Sequence, residues 1–241
     1  MEKRSLIREG KAKILFETNQ KDFIIQYFKD DATAFNAQKK GSIKNKGAIN
    51  NAISSWIFQT LGKSGISTHF VEKLSEREML VRRVQIIPVE TVIRNKAAGS
   101  IVKRFNLKKG EPLSPELIEY FYKSDELGDP LICLNHIFHF NWASPEEIGE
   151  MVKISLQVNG LLRKVFEAVG LDLVDFKLEF GKDAQGNVIL ADEFTPDGSR
   201  LWDLKTGESM DKDRFRQDLG RVDETYEEVY ERLRKFFEGK V

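Results

Sequence analysis

Residues 173–181 alternate with the period of a strand. Asp175, Lys177 and Glu179 fall on one side, and Phe176, Leu178 and Phe180 on the other. Alternate side chains of a strand share a face, so two carboxylates and an ammonium form a row backed by two aromatic rings and a leucine. Asp183-Ala184-Gln185-Gly186-Asn187 is turn-forming, and residues 188–193 return as a second, antiparallel strand. A hairpin of this length carries Asp192 to within a residue or two of Lys177 and Glu179. Residues 195–200 are a loop by composition and lead into Leu201-Trp202-Asp203. Any fold this chain adopts must give the hairpin one apolar and one charged environment. Two readings fit the charged row. It is the solvated face of an edge strand, or it is a site for Mg²⁺ and phosphate. Hard divalent cations take carboxylate oxygens, and a lysine supplies the compensating point charge.

At 241 residues the chain suits one large domain or two smaller ones packed together. Its 38 basic residues balance 38 acidic ones, which removes any global field favouring nucleic acid or a membrane surface. The single cysteine, Cys133, has no internal partner, fits a reducing compartment and is expected as a buried apolar residue. No apolar stretch is long enough to span a bilayer, and residues 1–5 lack the apolar segment of a secretory signal. The expected location is the cytoplasm.

Residues 6–16 read as strand, turn and strand around Gly10, and residues 23–28 as a β run of branched and aromatic side chains. Gly10, beside Lys11 and Lys13, either lets backbone approach a phosphate or is a plain hairpin turn. Neither glycine-rich nucleotide pattern is present. Residues 38–47 form a basic, irregular loop. A helix over 48–61 carries Ile49, Ile53, Trp56, Ile57 and Leu61 on one stripe. Residues 66–71, 79–84 and 86–94 read as strands, with Glu90 and Arg94 on a shared face. Pro88 argues against a central strand there and marks a boundary between 1–87 and 88–241. Residues 101–105 read as a further strand, and Ser114-Pro115-Glu116 as the start of a short helix ending near Lys123. Ser144 and Glu147 form a capping box opening a helix of about 25 residues beneath the hairpin. Asp211 caps a short helix to Leu219, and a terminal helix runs over 223–237. His69, His136 and His139 match no zinc pattern, and no nucleophile elbow is present.

Several of these runs, in this order, resemble the SAICAR synthetase (phosphoribosylaminoimidazole-succinocarboxamide synthase) family. They are Gly10-Lys11-Ala12-Lys13; Asp31-Ala32-Thr33-Ala34-Phe35-Asn36; residues 46–54; residues 86–94 continuing through Ala98-Gly99-Ser100; residues 174–181; and Asp192-Glu193-Phe194-Thr195-Pro196-Asp197 with Arg200-Leu201-Trp202-Asp203. The departures are conservative: Phe194-Thr195 stands where Ile-Ser is common, and Phe16 where Tyr is common.

The resemblance implies an α+β fold of two kinase-like lobes. An antiparallel-sheet, nucleotide-binding lobe (1–87) would meet a larger substrate- and metal-binding lobe (88–241) with ATP in the cleft. It implies that Gly10, Lys11 and Lys13 lie on the ATP phosphates and that Glu179 and Asp192 hold Mg²⁺. Arg94, Ser100 and Arg200 would bind the carboxyaminoimidazole ribonucleotide (CAIR) or L-aspartate. Lys177 would lie beside the reacting groups with Asp175 as its partner, and Glu90 would orient the nucleotide or a substrate carboxylate. The implied reaction is ATP-dependent amide ligation of CAIR and L-aspartate to SAICAR in purine biosynthesis, by a cytoplasmic homodimer. Two rivals are set against it. One is another phosphotransferase with a kinase-like fold, acting on a small molecule or a protein; a protein kinase would need H-R-D and D-F-G, which are absent. An RNA-binding module built on the lysines of residues 39–46 would need an aromatic platform, which does not accompany them.

Overall fold

The computed structural model describes residues 1–34 and 39–239. Phe35 and Asn36 of the second family-like run, and Gln38 of the basic loop, lie outside the described residues.

The chain opens with β1 (Lys3–Glu9), β2 (Lys13–Thr18) and β3 (Phe23–Phe28), each antiparallel to the last. β4 (Asp31–Ala34) and β5 (Lys39–Ser42) pair as a two-stranded ribbon, so the lysine-rich stretch expected as irregular loop is partly strand. α1 (Lys46–Lys63) follows, then β6 (Phe70–Lys73) and β7 (Glu78–Arg82). The five-stranded sheet has the order β1-β2-β3-β7-β6. Ile49, Ile53, Ile57 and Leu61 recur at helical spacing and are buried, which seats α1 against β3, β6 and β7.

A second sheet takes over at β8 (Gln85–Ile86) and β9 (Val89–Lys96). Pro88 stands between these strands, where its missing N–H costs no ladder bond. β9 itself is central, flanked on both sides, contrary to the expectation drawn from the proline. Residues 101–105 are not a strand: α2 (Ser100–Arg104) is a short helix. The expected helix at Ser114 is instead β10 (Pro112–Tyr122), which pairs along β9. Its Ile118, Tyr120 and Tyr122 alternate with Glu119 and Phe121, a strand period that the Ser-Pro-Glu opening masks. β11 (Leu131–Ile132) and α3 (Leu134–His139) precede the long α4 (Pro145–Ala168). Cys133 is exposed rather than buried, because it caps the solvent end of α3.

α4 has the expected capping box: Ser144 Oγ accepts from Glu147 N at 3.2 Å, and Glu147 Oε2 accepts from Ser144 N at 2.8 Å. Gly170, at φ +76°, ends it with the conformation glycine adopts without strain. Its buried stripe includes Met151, Val158, Leu162 and Phe166, whereas Leu156 faces solvent.

β12 (Leu171–Lys182) is the axis of the larger sheet. It pairs with β14 (Ser199–Asp203) at its start, with β9 over 175–178, and with β13 (Val188–Ala191) and β8 at its end. β12 is therefore central although β13 ends the strand order, and the edge-strand reading of the β12 charges fails. Phe176, Leu178 and Phe180 join the α4 side chains in one core. α5 (Asp213–Arg216) and α6 (Val222–Phe237) complete the chain. Tyr226, Val229 and Leu233 of α6 are buried, and Trp56 of α1 stacks on Tyr230 and Phe237 at 5.5 and 5.7 Å. No described helix is long and apolar enough to cross a membrane.

Candidate active site

The β9–β12 ladder sets Asp175 opposite Arg94 and Leu178 opposite Thr91, and one further step in that register sets Glu179 beside Glu90. The row predicted on β12 thus faces a matching row on β9, both shielded by neighbouring strands. Lys177 Nζ lies 2.8 Å from Glu90 Oε1 and 2.5 Å from Glu179 Oε1. Lys123, just past β10, reaches Glu179 Oε2 at 2.8 Å and Glu90 Oε1 at 3.7 Å. From the other sheet, Lys13 pairs with Asp192 and lies 3.2 Å from Glu193 Oε2. Asp192 follows β13 with φ +63°, a left-handed turn that few non-glycine residues adopt.

Three ammoniums and four carboxylates therefore share the cleft between the two sheets, and the charges act on one another. Burial opposes the charge on Lys177, but Glu179, Glu90 and Asp192 overcome it and raise its pKa well above the lysine norm. Lys13 behaves likewise under Asp192, Glu193 and Glu179. Burial disfavours ionised Glu179, yet Lys177, Lys123 and Lys13 together depress its pKa far below the carboxylate norm. Glu90 and Glu193, where burial prevails, titrate above it.

Asp175 is not the partner of Lys177. It points along the sheet to the arginines: Arg94 Nη1 donates to its Oδ2 at 2.6 Å, and Arg200 Nη1 to its two oxygens at 2.9 and 3.1 Å. The ladder explains this, because Arg94 and Arg200 are its register partners on β9 and β14. The pairing extends in both directions. Arg94 Nε donates to Glu119 at 2.6 Å, and Arg104 to the other oxygen of Glu119 at 2.7 Å. Arg200 Nε donates to Asp213 at 2.7 Å, and Arg216 to Asp213 at 2.6 Å. Ser100 opens α2 at the surface. Beside it, Gly99 sits so close to Arg200 that a Cβ there would lie 2.5 Å from Nη2.

A third group lies next to these. Asp197 accepts from Lys46 at 2.7 Å and from the Tyr226 hydroxyl at 2.5 Å, with Lys212 at 3.8 Å. Burial works against its charge, but Lys46 and Lys212 hold its pKa far below the carboxylate norm. Lys46 is thus buried in an ion pair rather than displayed on a basic loop.

The Gly10 N–H bonds to Lys13 O at 2.8 Å and closes the β1–β2 turn. Lys11 is exposed and paired with Asp125 at 2.6 Å, which carries the turn across to the larger sheet. Among the described residues, no group of three or more His, Cys, Asp or Glu side chains is arranged to hold a metal unaided. Asp192 nevertheless pairs with Lys13, and Glu179 accepts from Lys177 and Lys123, so both carboxylates stand among the cations of one cleft. Carboxylate oxygens of this kind are the donors that a hard divalent cation such as Mg²⁺ takes.

Sequence reasoning brought Lys177, Glu179, Asp192, Glu90, Arg94, Asp175 and Arg200 to one region. It missed Lys123, Glu119 and Arg104. The strand period of residues 117–122 would have exposed Glu119, and the misread helix hid it. Asp213 and Arg216 follow a stretch without strong periodicity and carry no local signal.

Such a cleft, between two lobes of an α+β fold, suits an enzyme that holds several anions at once. The SAICAR synthetase family model matches residues 6–233. The phosphoribosylaminoimidazole-succinocarboxamide synthase of Rhodospirillum centenum is 54% identical over 236 residues, covering 97% of this chain and 93% of the relative. The solved structure of that synthase from Ehrlichia chaffeensis superposes with a TM-score of 0.93 at 48% identity, over 95% of this chain and 98% of the other. A SAICAR synthetase solved in complex with ADP superposes with a TM-score of 0.92 at 43% identity, over 95% and 97%. The chain belongs to the SAICAR synthetase family.

Proposed function

We propose that this chain joins the carboxylate of CAIR to the amine of L-aspartate, converting ATP to ADP and phosphate and forming SAICAR through an acyl phosphate. The observation that carries this reading is the convergence of Lys13, Lys123 and Lys177 on carboxylates beside an arginine ladder. A reaction uniting a nucleotide polyphosphate, a phosphorylated ribonucleotide and a dicarboxylate needs that density of cations in one cleft.

The CAIR carboxylate is a poor electrophile, because neither oxygen can leave. One of its oxygens attacks the γ-phosphorus of ATP, the bond to the β,γ-bridging oxygen breaks, and ADP departs. The aspartate amine nitrogen then attacks the acyl carbon, the carbon–oxygen bond to phosphate breaks, and the amine proton is lost. Lys13 reaches across from the small sheet to the polyphosphate. Lys177 and Lys123 offset the charge that builds on the transferring phosphoryl group. Mg²⁺ bound at Glu179 and Asp192 would neutralise phosphoryl oxygens. Arg94 and Arg200, with Ser100, hold an anionic group of CAIR or aspartate. Asp175, with both oxygens engaged by guanidiniums, orients those arginines rather than taking a proton. Glu90 fixes Lys177, while Gly10 and Lys11 border the phosphates. Residues 1–87 act as the nucleotide lobe and 88–241 as the substrate and metal lobe of a cytoplasmic homodimer, whose mass sedimentation would measure.

The test is phosphate release from Mg-ATP and CAIR, with and without L-aspartate, in wild type and in Lys177→Ala, Glu179→Ala and Asp192→Ala. Release should need all three substrates and fall at least ~100-fold in the variants. Release indifferent to aspartate would sink amide ligation in favour of a simple phosphotransferase.

A further inference from the structure

Glu119 is a buried carboxylate that the ligation chemistry does not call on. It lies on β10, one strand beyond Arg94, and both of its oxygens are taken. Oε2 accepts from Arg94 Nε at 2.6 Å, and Oε1 from Arg104 Nη2 at 2.7 Å. Arg104 is the last residue of α2, whose first residue is Ser100. At the other end of α2, Gly99 rests against the Arg200 guanidinium. Arg200 returns through Asp175 to Arg94, and Arg94 Nη1 bonds the carbonyl of Ala98 at 3.3 Å. The contacts close a ring: Glu119, Arg94, Asp175, Arg200, Gly99, α2, Arg104 and back to Glu119. Every group read above as holding the anionic group of CAIR or aspartate, Arg94, Ser100 and Arg200, lies on this ring.

We propose that Glu119 is a positioning residue for the substrate anion pocket, fixing the guanidinium of Arg94 and the α2 segment that presents Ser100 relative to one another. Arg104 is the countercharge through which it acts on α2. The inference rests on the reading of Arg94 and Arg200 as substrate contacts. It has a sign that simple charge arithmetic lacks. A carboxylate beside an anion site repels the ligand, so removing its charge should tighten binding if charge were its only contribution. If instead it sets the pitch of Arg94 and α2, removing it weakens binding despite the relief of repulsion.

Steady-state kinetics on wild type, Glu119→Gln, Glu119→Asp and Arg104→Met, with KM measured separately for ATP, CAIR and L-aspartate, decides between these. Glu119→Gln should raise KM about tenfold for whichever of CAIR and L-aspartate the pocket holds, with kcat and the KM for ATP within about threefold of wild type. Glu119→Asp, which keeps the charge but shortens the reach by one methylene, should raise the same KM. Arg104→Met, at a half-exposed position, should shift it in the same direction by less, and it carries the test should the Glu119 variants not fold. The proposal is overturned if KM falls or holds steady in the variants that fold, or if all three substrates shift together as in a general loss of structure. It also falls if wild type shows no aspartate-dependent turnover, an outcome distinguished by its presence before any substitution.

Discussion

At the scale of single residues, opposite charges outweigh burial at Lys13, Lys177 and Glu179 of the cleft. His69 shows the other outcome. It is buried, its ring lies edge-on to Phe58 at 5.4 Å, and its Nε2 has no partner. Burial is the main cause that lowers its pKa to about 4. The folded protein therefore holds His69 neutral where the unfolded chain, titrating near the ordinary 6.5, takes up a proton. The stability that follows is fully present above pH 6.5 and is lost as pH falls towards about 4, an amount on the order of 3 kcal/mol at most. Denaturant titrations at pH 7 and 4.5 should show a larger acid loss for wild type than for His69→Gln. Equal losses would mean that the histidine is not a source of the acid sensitivity.

At the scale of elements, the long helix rests on local signals that function does not constrain. Ser144 and Glu147 satisfy two backbone donors at the N-terminus of α4, which packs on the apolar face of β12, opposite the charged row. Ser144→Ala should cost about 1 kcal/mol of unfolding free energy while leaving turnover intact. A calorimetric melt paired with an activity assay checks both, and a loss of activity without a loss of stability would contradict the assignment. The element-level misreadings have equally specific causes. Ser114-Pro115-Glu116 carries helix-start residues, but the segment behind it alternates and lies along β9, so ladder pairing overrode the local cue. Residues 101–105 are branched and aromatic enough to suggest a strand, yet Gly99, at φ +62°, turns the backbone into α2, Ser100–Arg104.

At the scale of the whole molecule, ion pairs join the two sheets across the cleft. Lys13 on the small sheet meets Asp192 and Glu193 on the large one, and Lys11 meets Asp125. A polyphosphate entering there competes with these carboxylates for the same lysines and stabilises both lobes together. Mg-ATP at 100 times its dissociation constant should therefore add about 2.7 kcal/mol to stability, read as a rise in Tm. Lys13→Met should lose most of that rise at the same nucleotide concentration. An undiminished shift in the variant would show that the polyphosphate does not use Lys13.

The sequence by itself determined the hairpin, its apolar and charged faces, the capped helix behind it and the family to which the chain belongs. These rest on periodicity, turn residues and caps within a few positions of one another, and on long matching runs. The tertiary structure alone decided the partners. Asp175 faces Arg94 and Arg200 rather than Lys177 because strand register, a property of three strands distant in sequence, sets which side chains meet. Lys123, Glu119 and Arg104 entered the site because β10 is a strand and not a helix. Charge pairing across a sheet is a long-range contact, and the energy that selects it exists only once burial has removed the water that would otherwise satisfy each charge alone.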